Sequence, residues 1–145
     1  VLRHQPDLVL VGYALNDSPT GLAAWIVEKF RTWSDCGGDV ERRFSKDELL
    51  TNIMLYWVTG TINSSMRLYC ETMRSGRFGA SAERVTVPTG CSIFPKEIYR
   101  PPRRWVEAQF NLLQWTTHAS GGHFAALEEP AALVEDVRSF FRKLR

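Results

Sequence analysis

The sequence has few of the residues that mark several large classes of protein. It contains only three cysteines, Cys36, Cys70 and Cys91, and no two of them form a CxxC pair. An odd number of widely spaced cysteines argues against a disulfide framework or a zinc site and favours a reducing compartment. We therefore expect no bound metal and no cofactor.

Long apolar runs and a strong charge of one sign are also missing. The longest hydrophobic runs are far shorter than a membrane span, so we expect no membrane segment in this chain. The formal net charge is +2, and no basic block with interleaved aromatics predicts a nucleic-acid surface. Arg100, Arg103 and Arg104 flank two prolines, as is typical of a solvated helix start. Residues 1–6 contain neither an initiator Met nor a signal-peptide pattern, which suggests a piece of a longer protein. We expect a cytoplasmic location, and membrane anchoring through an upstream segment stays open.

The rest of the composition is that of an ordinary globular chain. Of 145 residues, 44% are hydrophobic and 23% are charged, which suits about one domain with a sizeable core. Gly and Ser between residues 75 and 81 indicate a flexible connection. This connection is the predicted boundary between a helical layer, residues 1–80, and a sheet-bearing segment, residues 81–145.

Residues 19–74 have helical periodicity. Ser18 is predicted to cap a helix with Pro19 at its first position, and Ser45 with Glu48 is predicted to form a capping box before a second helix. A third helix is expected at residues 62–73.

After the boundary the pattern alternates between strands and helices. We predict strands at residues 84–87 and 112–117, a helix at 102–110, and a final helix that begins at Pro130. Strands separated by helices imply a parallel sheet, and two such strands need further neighbours. The isolated chain is therefore expected to expose a large apolar patch. The final helix has a wide apolar stripe, formed by Leu133, Val134, Val137, Phe140, Phe141 and Leu144.

Two polar residues follow the predicted strands in a setting that suits catalysis. His123 comes after Gly121 and Gly122, which allow a tight turn, and Glu97 comes after a rigid Phe-Pro pair. A carboxylate and an imidazole at one edge of a parallel sheet can form the acid–base part of a hydrolase charge relay. We expect the two side chains to lie within or near hydrogen-bond reach. The structural alternatives are a surface histidine in a turn and a glutamate at a helix start.

Four other residues are candidates of lower rank. His118 ends the second predicted strand but has no glycine setting. Tyr69 is a possible proton donor to a substrate oxygen, with core packing as its alternative. Glu128 and Glu129 precede Pro130 and are interpreted as structural acids of a first helical turn.

Several motifs, in order, resemble the C-terminal part of the microsomal-type epoxide hydrolases, which include bacterial relatives and the juvenile-hormone epoxide hydrolases. The motifs are Asn-Asp-Ser-Pro-Thr-Gly-Leu-Ala-Ala-Trp-Ile from Asn16, Leu-Thr-Asn-Ile-Met-Leu-Tyr-Trp from Leu50, Ser-Ser-Met-Arg-Leu-Tyr from Ser64, Val-Pro-Thr-Gly from Val87, Phe-Pro-Lys-Glu from Phe94, and Gly-Gly-His-Phe-Ala-Ala-Leu-Glu-Glu-Pro from Gly121. The resemblance covers nearly the whole chain.

The resemblance implies the last two strand–helix units of an α/β-hydrolase core with a helical lid (cap) at residues 1–80. It implies that Tyr69 is one of two lid tyrosines that hydrogen-bond an epoxide oxygen, that Glu97 is the acid of a triad, and that His123 activates water. The substrate would be a small hydrophobic epoxide, attacked first by a nucleophilic Asp. The family's nucleophile and oxyanion-hole segments have no counterpart here, so the chain alone is expected to be inactive. Wider roles would be detoxification or aromatic hydrocarbon catabolism.

Two alternatives stay open. The chain could belong to another α/β-hydrolase, such as an esterase or a haloalkane dehalogenase, in which Tyr69 would be irrelevant. It could also be a truncated chain that acts only as a non-catalytic interaction module. Asp7, Asp17 and Asp39 do not occur in a nucleophile-elbow setting, and none of them is a candidate nucleophile.

Overall fold

The computed structural model describes residues 5–75 and 83–145 of the chain. These residues form two compact units, of which the first contains residues 5–29 and 44–75 and the second contains residues 30–43 and 83–145. By their contacts, residues 30–43 thus belong with the C-terminal part of the chain. The division into a lid at residues 1–80 and a core segment at 81–145 stays a prediction. Of the predicted flexible connection, only residue 75 lies within the described residues.

The first unit is helical, as its sequence pattern predicts. Its helices are α1 (Gln5–Asp17), α2 (Pro19–Trp33), which continues into the second unit, α3 (Lys46–Thr59) and α4 (Ile62–Arg74). α1 packs against α4. On α4, Ile62, Met66 and Cys70 are buried at a spacing of four residues, which places them on one face of the helix. The other buried apolar side chains of this unit are Leu15, Leu22, Ile26, Phe44, Leu49 and Ile53.

Both predicted helix caps are confirmed. Gly21 N donates to Ser18 Oγ at 3.0 Å, which satisfies one of the backbone donors that the first helical turn leaves unpaired. At α3, Glu48 N donates to Ser45 Oγ at 3.3 Å and Ser45 N donates to Glu48 Oε2 at 2.8 Å. These two hydrogen bonds complete the capping box. The Ser45 hydroxyl, which donates to Glu48 Oε2 at 2.7 Å, and Ser45 N lower the pKa of Glu48.

The sequence pattern predicts no separate helix at residues 5–17, where the structure has α1. The segment is apolar at successive positions from Leu8 to Gly12, so it gives no clear contrast between two helix faces. Its partner, α4, lies about fifty residues further along the sequence. The information that makes this segment a helix is therefore tertiary, and a periodic pattern alone could not predict it.

The second unit contains a two-stranded parallel sheet with its connecting helices. Its strands are β1 (Val85–Ile93) and β2 (Phe110–Thr117), and its helices are α5 (Arg103–Gln109), α6 (Ala125–Glu128) and α7 (Pro130–Arg142), together with a 3₁₀ turn at Val40–Arg42. In the register of the pair, Cys91 lies opposite Trp115 and Ile93 lies opposite Thr117. α7 packs against both strands. The predicted strand–helix–strand–helix order is confirmed.

β1 is longer than predicted. The sequence suggested a strand at residues 84–87 because Pro88 and Gly90 normally interrupt strands. In the structure the pairing continues through both residues, with an irregularity of register just before each of them. Gly90 is needed for packing here, because a Cβ at this position would lie 2.8 Å from Cδ2 of Phe140 on α7.

α7 has an apolar face that is about half exposed within the described residues. Val134, Val137, Phe141 and Leu144 are between 43% and 57% exposed, and none of the helix's residues is buried. This face is the outer part of the apolar stripe that the sequence predicts. No helix among the described residues has the length and the apolar character required to cross a bilayer.

We expect the isolated chain to bind a hydrophobic dye, because this stripe exposes several large apolar side chains. Replacing Val137 and Phe141 together by Lys should lower the dye fluorescence and leave the helical circular dichroism unchanged. Glu135→Lys, on an exposed position of the same helix, adds positive charge without removing apolar area and serves as the control. Equal fluorescence from all three proteins would show that the stripe is not the exposed patch.

Candidate active site

The candidate site lies where the two parallel strands end. Glu97 follows β1 after a short turn, and His123 follows β2 after the glycine pair. Lys96 pairs with Gly122 in an isolated parallel bridge, and Lys96 N donates to Gly121 O at 3.0 Å. The two loops therefore continue the pairing of the strands beyond the regular sheet, and they carry both side chains to the same edge.

Glu97 and His123 are in direct contact. Nδ1 of His123 lies 2.7 Å from Oε1 of Glu97, and the same oxygen accepts a hydrogen bond from Ile98 N at 2.7 Å. The histidine side chain is 41% exposed and the glutamate side chain is 31% exposed, so the pair is reachable by solvent. The geometric prediction for these two residues is confirmed. Their catalytic roles stay predictions.

The imidazole of His123 is surrounded by aromatic rings. The Trp33 and Phe124 rings meet it edge-on, with centroids 5.3 and 5.4 Å away, and Phe124 stacks on Phe30 at 4.2 Å. These contacts restrict the orientation of the ring. A carboxylate on Nδ1 together with aromatic walls leaves Nε2 as the nitrogen that can accept a proton.

A side chain is excluded at each of the two positions before His123, for a different steric reason at each. Gly121 has a φ of +101°, a conformation that L residues with side chains rarely adopt, and a Cβ there would lie 2.7 Å from Cδ1 of Phe94. At Gly122 a Cβ would lie 2.6 Å from the carbonyl oxygen of Trp33. His123 N donates to that same oxygen at 2.9 Å. The loop thus lies directly against the end of α2.

Glu128 and Glu129 are structural acids, as predicted, but for a different reason. Glu128 is 8% exposed and accepts hydrogen bonds from Asp35 N and Phe124 N. Glu129 accepts from Ser120 Oγ at 2.7 Å and pairs with Arg43 at 2.9 Å. The Ser120 hydroxyl lowers the pKa of Glu129 against the smaller opposing effect of burial, and Arg43 adds to the lowering. These specific contacts, not the helix dipole, account for the two acids.

His118 belongs to a separate cluster. Its Nε2 lies 2.9 Å from Oδ2 of Asp136 on α7, and its ring stacks on Phe94. Ser92 Oγ donates to the same Asp136 oxygen at 2.6 Å. Burial alone would raise the pKa of Asp136, but hydrogen bonds from Ser92, His118 and Thr116 together hold it below its ordinary value. Nothing in the sequence near Asp136 indicated this cluster, because its partners come from two strands.

Tyr69 lies on α4, in the first unit. It is 48% exposed, whereas Met66 and Cys70 on the same helix are buried. Core packing, the alternative considered for this tyrosine, therefore does not explain it. Its role as a proton donor stays a prediction.

Cysteines and metal ligands contribute nothing to the site. Cys36, Cys70 and Cys91 are free thiols, and burial raises the pKa of Cys91. Within residues 5–75 and 83–145, no group of three or more His, Cys, Asp or Glu side chains is arranged to hold a metal ion.

The sequence is similar to epoxide hydrolases from animals. It is 50% identical over 145 residues to epoxide hydrolase 1 of Sus scrofa and 45% identical over 148 residues to juvenile hormone epoxide hydrolase 2 of Ctenocephalides felis. These alignments cover 94% and 96% of this chain. Over nearly its whole length, the chain matches the C-terminal part of epoxide hydrolases. No family model matches it.

Solved structures of the family have the same fold. The juvenile hormone epoxide hydrolase of Bombyx mori matches 98% of this chain with a TM-score of 0.79 at 32% identity. The Aspergillus niger epoxide hydrolase matches 99% of it with a TM-score of 0.78 at 33% identity. The predicted fold class, the C-terminal part of an α/β-hydrolase, is confirmed.

The chain spans only part of each of these proteins. It covers 32% of the pig enzyme, 31% of the Ctenocephalides felis enzyme and 39% of the Bombyx mori chain. About two thirds of a protein of this family therefore has no counterpart in the residues described.

We expect Asp136→Asn to destabilise the chain by about 1–2 kcal/mol at neutral pH, because a partly buried carboxylate that accepts several hydrogen bonds loses its charge. Since the folded-state pKa of Asp136 is lowered, its contribution is present above the ordinary aspartate pKa of about 4 and is lost as the pH falls through the folded-state value. Urea unfolding between neutral and acid pH measures the effect. The difference between wild type and Asp136→Asn should shrink on acidification, and the exposed neighbour variant Glu135→Gln should show no such change. A difference that stays constant with pH would contradict this assignment.

Proposed function

We propose that this chain supplies the acid–base half of an epoxide hydrolase, in which Glu97 orients His123 and His123 activates the water that releases a vicinal diol. The 2.7 Å contact between the Glu97 carboxylate and His123 Nδ1 carries the proposal. The Glu97 carboxylate would fix the tautomer that leaves Nε2 as the base and would stabilise the imidazolium that forms.

The reaction has two steps in this scheme. A nucleophilic Asp, on sequence that the present chain does not contain, attacks one epoxide carbon and breaks the carbon–oxygen bond. The ring oxygen gains negative charge and takes a proton from a tyrosine hydroxyl, a role for which Tyr69 is the candidate here. The product of this step is a covalent ester between the Asp and the opened substrate.

His123 acts in the second step. It takes a proton from water through Nε2 while the water oxygen attacks the ester carbonyl. As the tetrahedral intermediate collapses and the ester bond breaks, the imidazolium returns this proton to the departing oxygen, which completes the diol. The Asp carboxyl group loses the remaining water proton, which restores the tyrosine hydroxyl, and the carboxylate is regenerated. Because Nδ1 already faces Glu97, the proton that His123 gains is compensated by a nearby negative charge.

The match to epoxide hydrolases favours an epoxide over the substrates of other α/β-hydrolases. The relatives named above are epoxide and juvenile hormone epoxide hydrolases. We propose small hydrophobic epoxides as the substrate class, with water as the second reactant and no cofactor. The aromatic rings of Trp33 and Phe124 beside His123 suit an apolar substrate. A cytoplasmic location, and roles in detoxification or aromatic hydrocarbon catabolism, stay predictions.

The 145-residue chain alone should not turn over a styrene-oxide-type epoxide, because loss of one member of a cooperating catalytic set removes nearly all the rate that the set provides.

In an epoxide hydrolase that contains this chain, His123→Gln should still form the ester but release diol about 10²–10⁴ times more slowly. Single-turnover kinetics, with detection of the trapped ester by mass spectrometry, separates the steps. Glu97→Gln should slow the same step less, because it orients the base without accepting the substrate-derived proton. Diol release at the wild-type rate by His123→Gln would remove His123 from the mechanism.

Tyr69→Phe should instead slow ester formation, by roughly ten- to a hundredfold, because it removes a donor to the oxygen that gains charge. Hydrolysis of the ester, once formed, should keep its wild-type rate. Tyr99→Phe is the matched control, since Tyr99 is also exposed but has no proposed role in ring opening. If Tyr69→Phe and Tyr99→Phe form the ester at the same rate, the proton donor is another group.

A further inference from the structure

The loop that carries His123 is tied to the segment after α2 by a buried carboxylate. Each oxygen of Glu128 accepts a hydrogen bond from a different backbone amide, Oε2 from Asp35 N at 2.7 Å and Oε1 from Phe124 N at 3.1 Å. Glu128 and Asp35 are 93 residues apart in the sequence. The residue after His123 is thus joined, through one side chain, to a distant part of the chain.

The connection is reciprocal. Asp35 not only donates its amide to Glu128 but also accepts, through Oδ2, a hydrogen bond from Gly121 N at 3.1 Å. His123 N adds a third link, to the carbonyl oxygen of Trp33. The amides of Gly121 and His123 are therefore both bound to the segment at residues 33–35. The amide of Phe124, the next residue, is bound to Glu128.

One arginine lies beside two carboxylates of this cluster. Arg43 lies 2.9 Å from Glu129 and 3.5 Å from Asp35, and its Nε donates to the Asp35 carbonyl oxygen at 2.8 Å. One guanidinium thus faces two of the three carboxylates, and Glu128 is left to bind neutral amides. A buried carboxylate whose two oxygens are both occupied by N–H donors is a rigid support, because its loss leaves those donors unpaired.

We propose that Glu128 is a positioning residue for His123, which holds the imidazole at the angle that directs Nδ1 to Glu97 and Nε2 to the attacking water. The inference rests on the proposed function and adds a residue to it. Glu128 touches neither substrate nor the reacting atoms and acts through the backbone of the histidine loop. Its effect should fall on ester hydrolysis, the step that needs the base, and not on ester formation.

The kinetic test compares single-turnover steps in an epoxide hydrolase that contains this chain. Glu128→Gln keeps the shape of the side chain but places an amide NH₂ group, which cannot accept a hydrogen bond, against one of the two backbone N–H donors. We expect diol release to slow by about ten- to a hundredfold, the cost of a small misplacement of a catalytic group, while ester formation stays within about twofold of wild type. Glu128→Asp, which keeps both acceptor oxygens, should recover part of the loss. Glu107→Gln, an exposed acid on α5, is the control.

A purely structural role would give a different result. It would lower the amount of active protein and therefore the amplitude of both steps, without selectively lowering the rate constant of the second. Equal slowing of both rate constants, or no slowing of diol release, overturns the proposal. If Glu128→Gln does not fold, Asp35→Ala takes its place. Asp35 is about a quarter exposed (24%), and the loss of its bond to Gly121 should slow the same step to a smaller extent.

A second measurement on the chain itself separates this proposal from the proposed function. The chain has three histidines, so ¹⁵N-histidine labelling with His118→Gln and His123→Gln as references assigns the imidazole signals. In Glu128→Gln the Nδ1 proton of His123 should exchange with solvent at least about tenfold faster, since its bond to Glu97 is held less firmly. An unchanged exchange rate overturns the positioning role whether or not the protein hydrolyses epoxides. If exchange accelerates but the wild-type enzyme turns over no epoxide, the proposed function fails and the positioning role stands.

Discussion

The parallel pairing of β1 and β2 is the constraint on which the candidate site depends. The ends of neighbouring parallel strands lie at one edge, so residues that follow them are brought together even when a helix and many residues separate them in the sequence. Here the bridge between Lys96 and Gly122 extends the pairing past the regular strands. Glu97 and His123 are 26 residues apart in sequence and 2.7 Å apart in space because each follows directly on that extension.

Backbone proximity is the second constraint, and it explains why the turn contains two glycines. The end of α2 lies so near the histidine loop that a side chain on Gly122 would overlap the Trp33 carbonyl, and one on Gly121 would overlap the Phe94 ring. The same closeness lets His123 N reach the Trp33 oxygen. Loop residues are usually mobile. Because Gly121 and Gly122 have no side chains, this loop comes close enough to α2 to be held by a backbone hydrogen bond.

Features that depend on neighbours in the sequence were predictable. The Ser45–Glu48 capping box and the Ser18 cap are of this local kind. The pairing of Glu97 with His123 is not local, but it was predictable because both residues follow neighbouring parallel strands. The extent of β1 was not predictable, because Pro88 and Gly90 look like strand breakers until Phe140 of α7 is placed against them. α1 was missed for a similar reason, because its sequence does not show which side of the helix packs against α4.

The least predictable residues are the acids that support the loop. Glu128 looked like an ordinary acid near a helix start, and its partner Asp35 looked like part of a helix-terminating turn. Their relation appears only when the chain is folded, because Glu128 accepts a hydrogen bond from Asp35 N, 93 positions away, and Asp35 accepts one from Gly121 N, 86 positions away. Composition and spacing carry no trace of such a contact.

Two acids near the histidine loop and the sheet, Glu129 and Asp136, have lowered pKa values. Hydrogen bonds lower the pKa of Glu129, mainly through Ser120, and that of Asp136, despite its burial, through Ser92, His118 and Thr116. A lowered carboxyl pKa means that the folded state favours the ionised carboxylate. The carboxylate therefore stays ionised until the pH falls well into the acid range. The contacts of Glu129 with Ser120 and Arg43, and those of Asp136 with Ser92, Thr116 and His118, therefore involve ionised carboxylates across neutral pH. In the mechanism proposed here, His123 can change its charge while these neighbouring contacts persist.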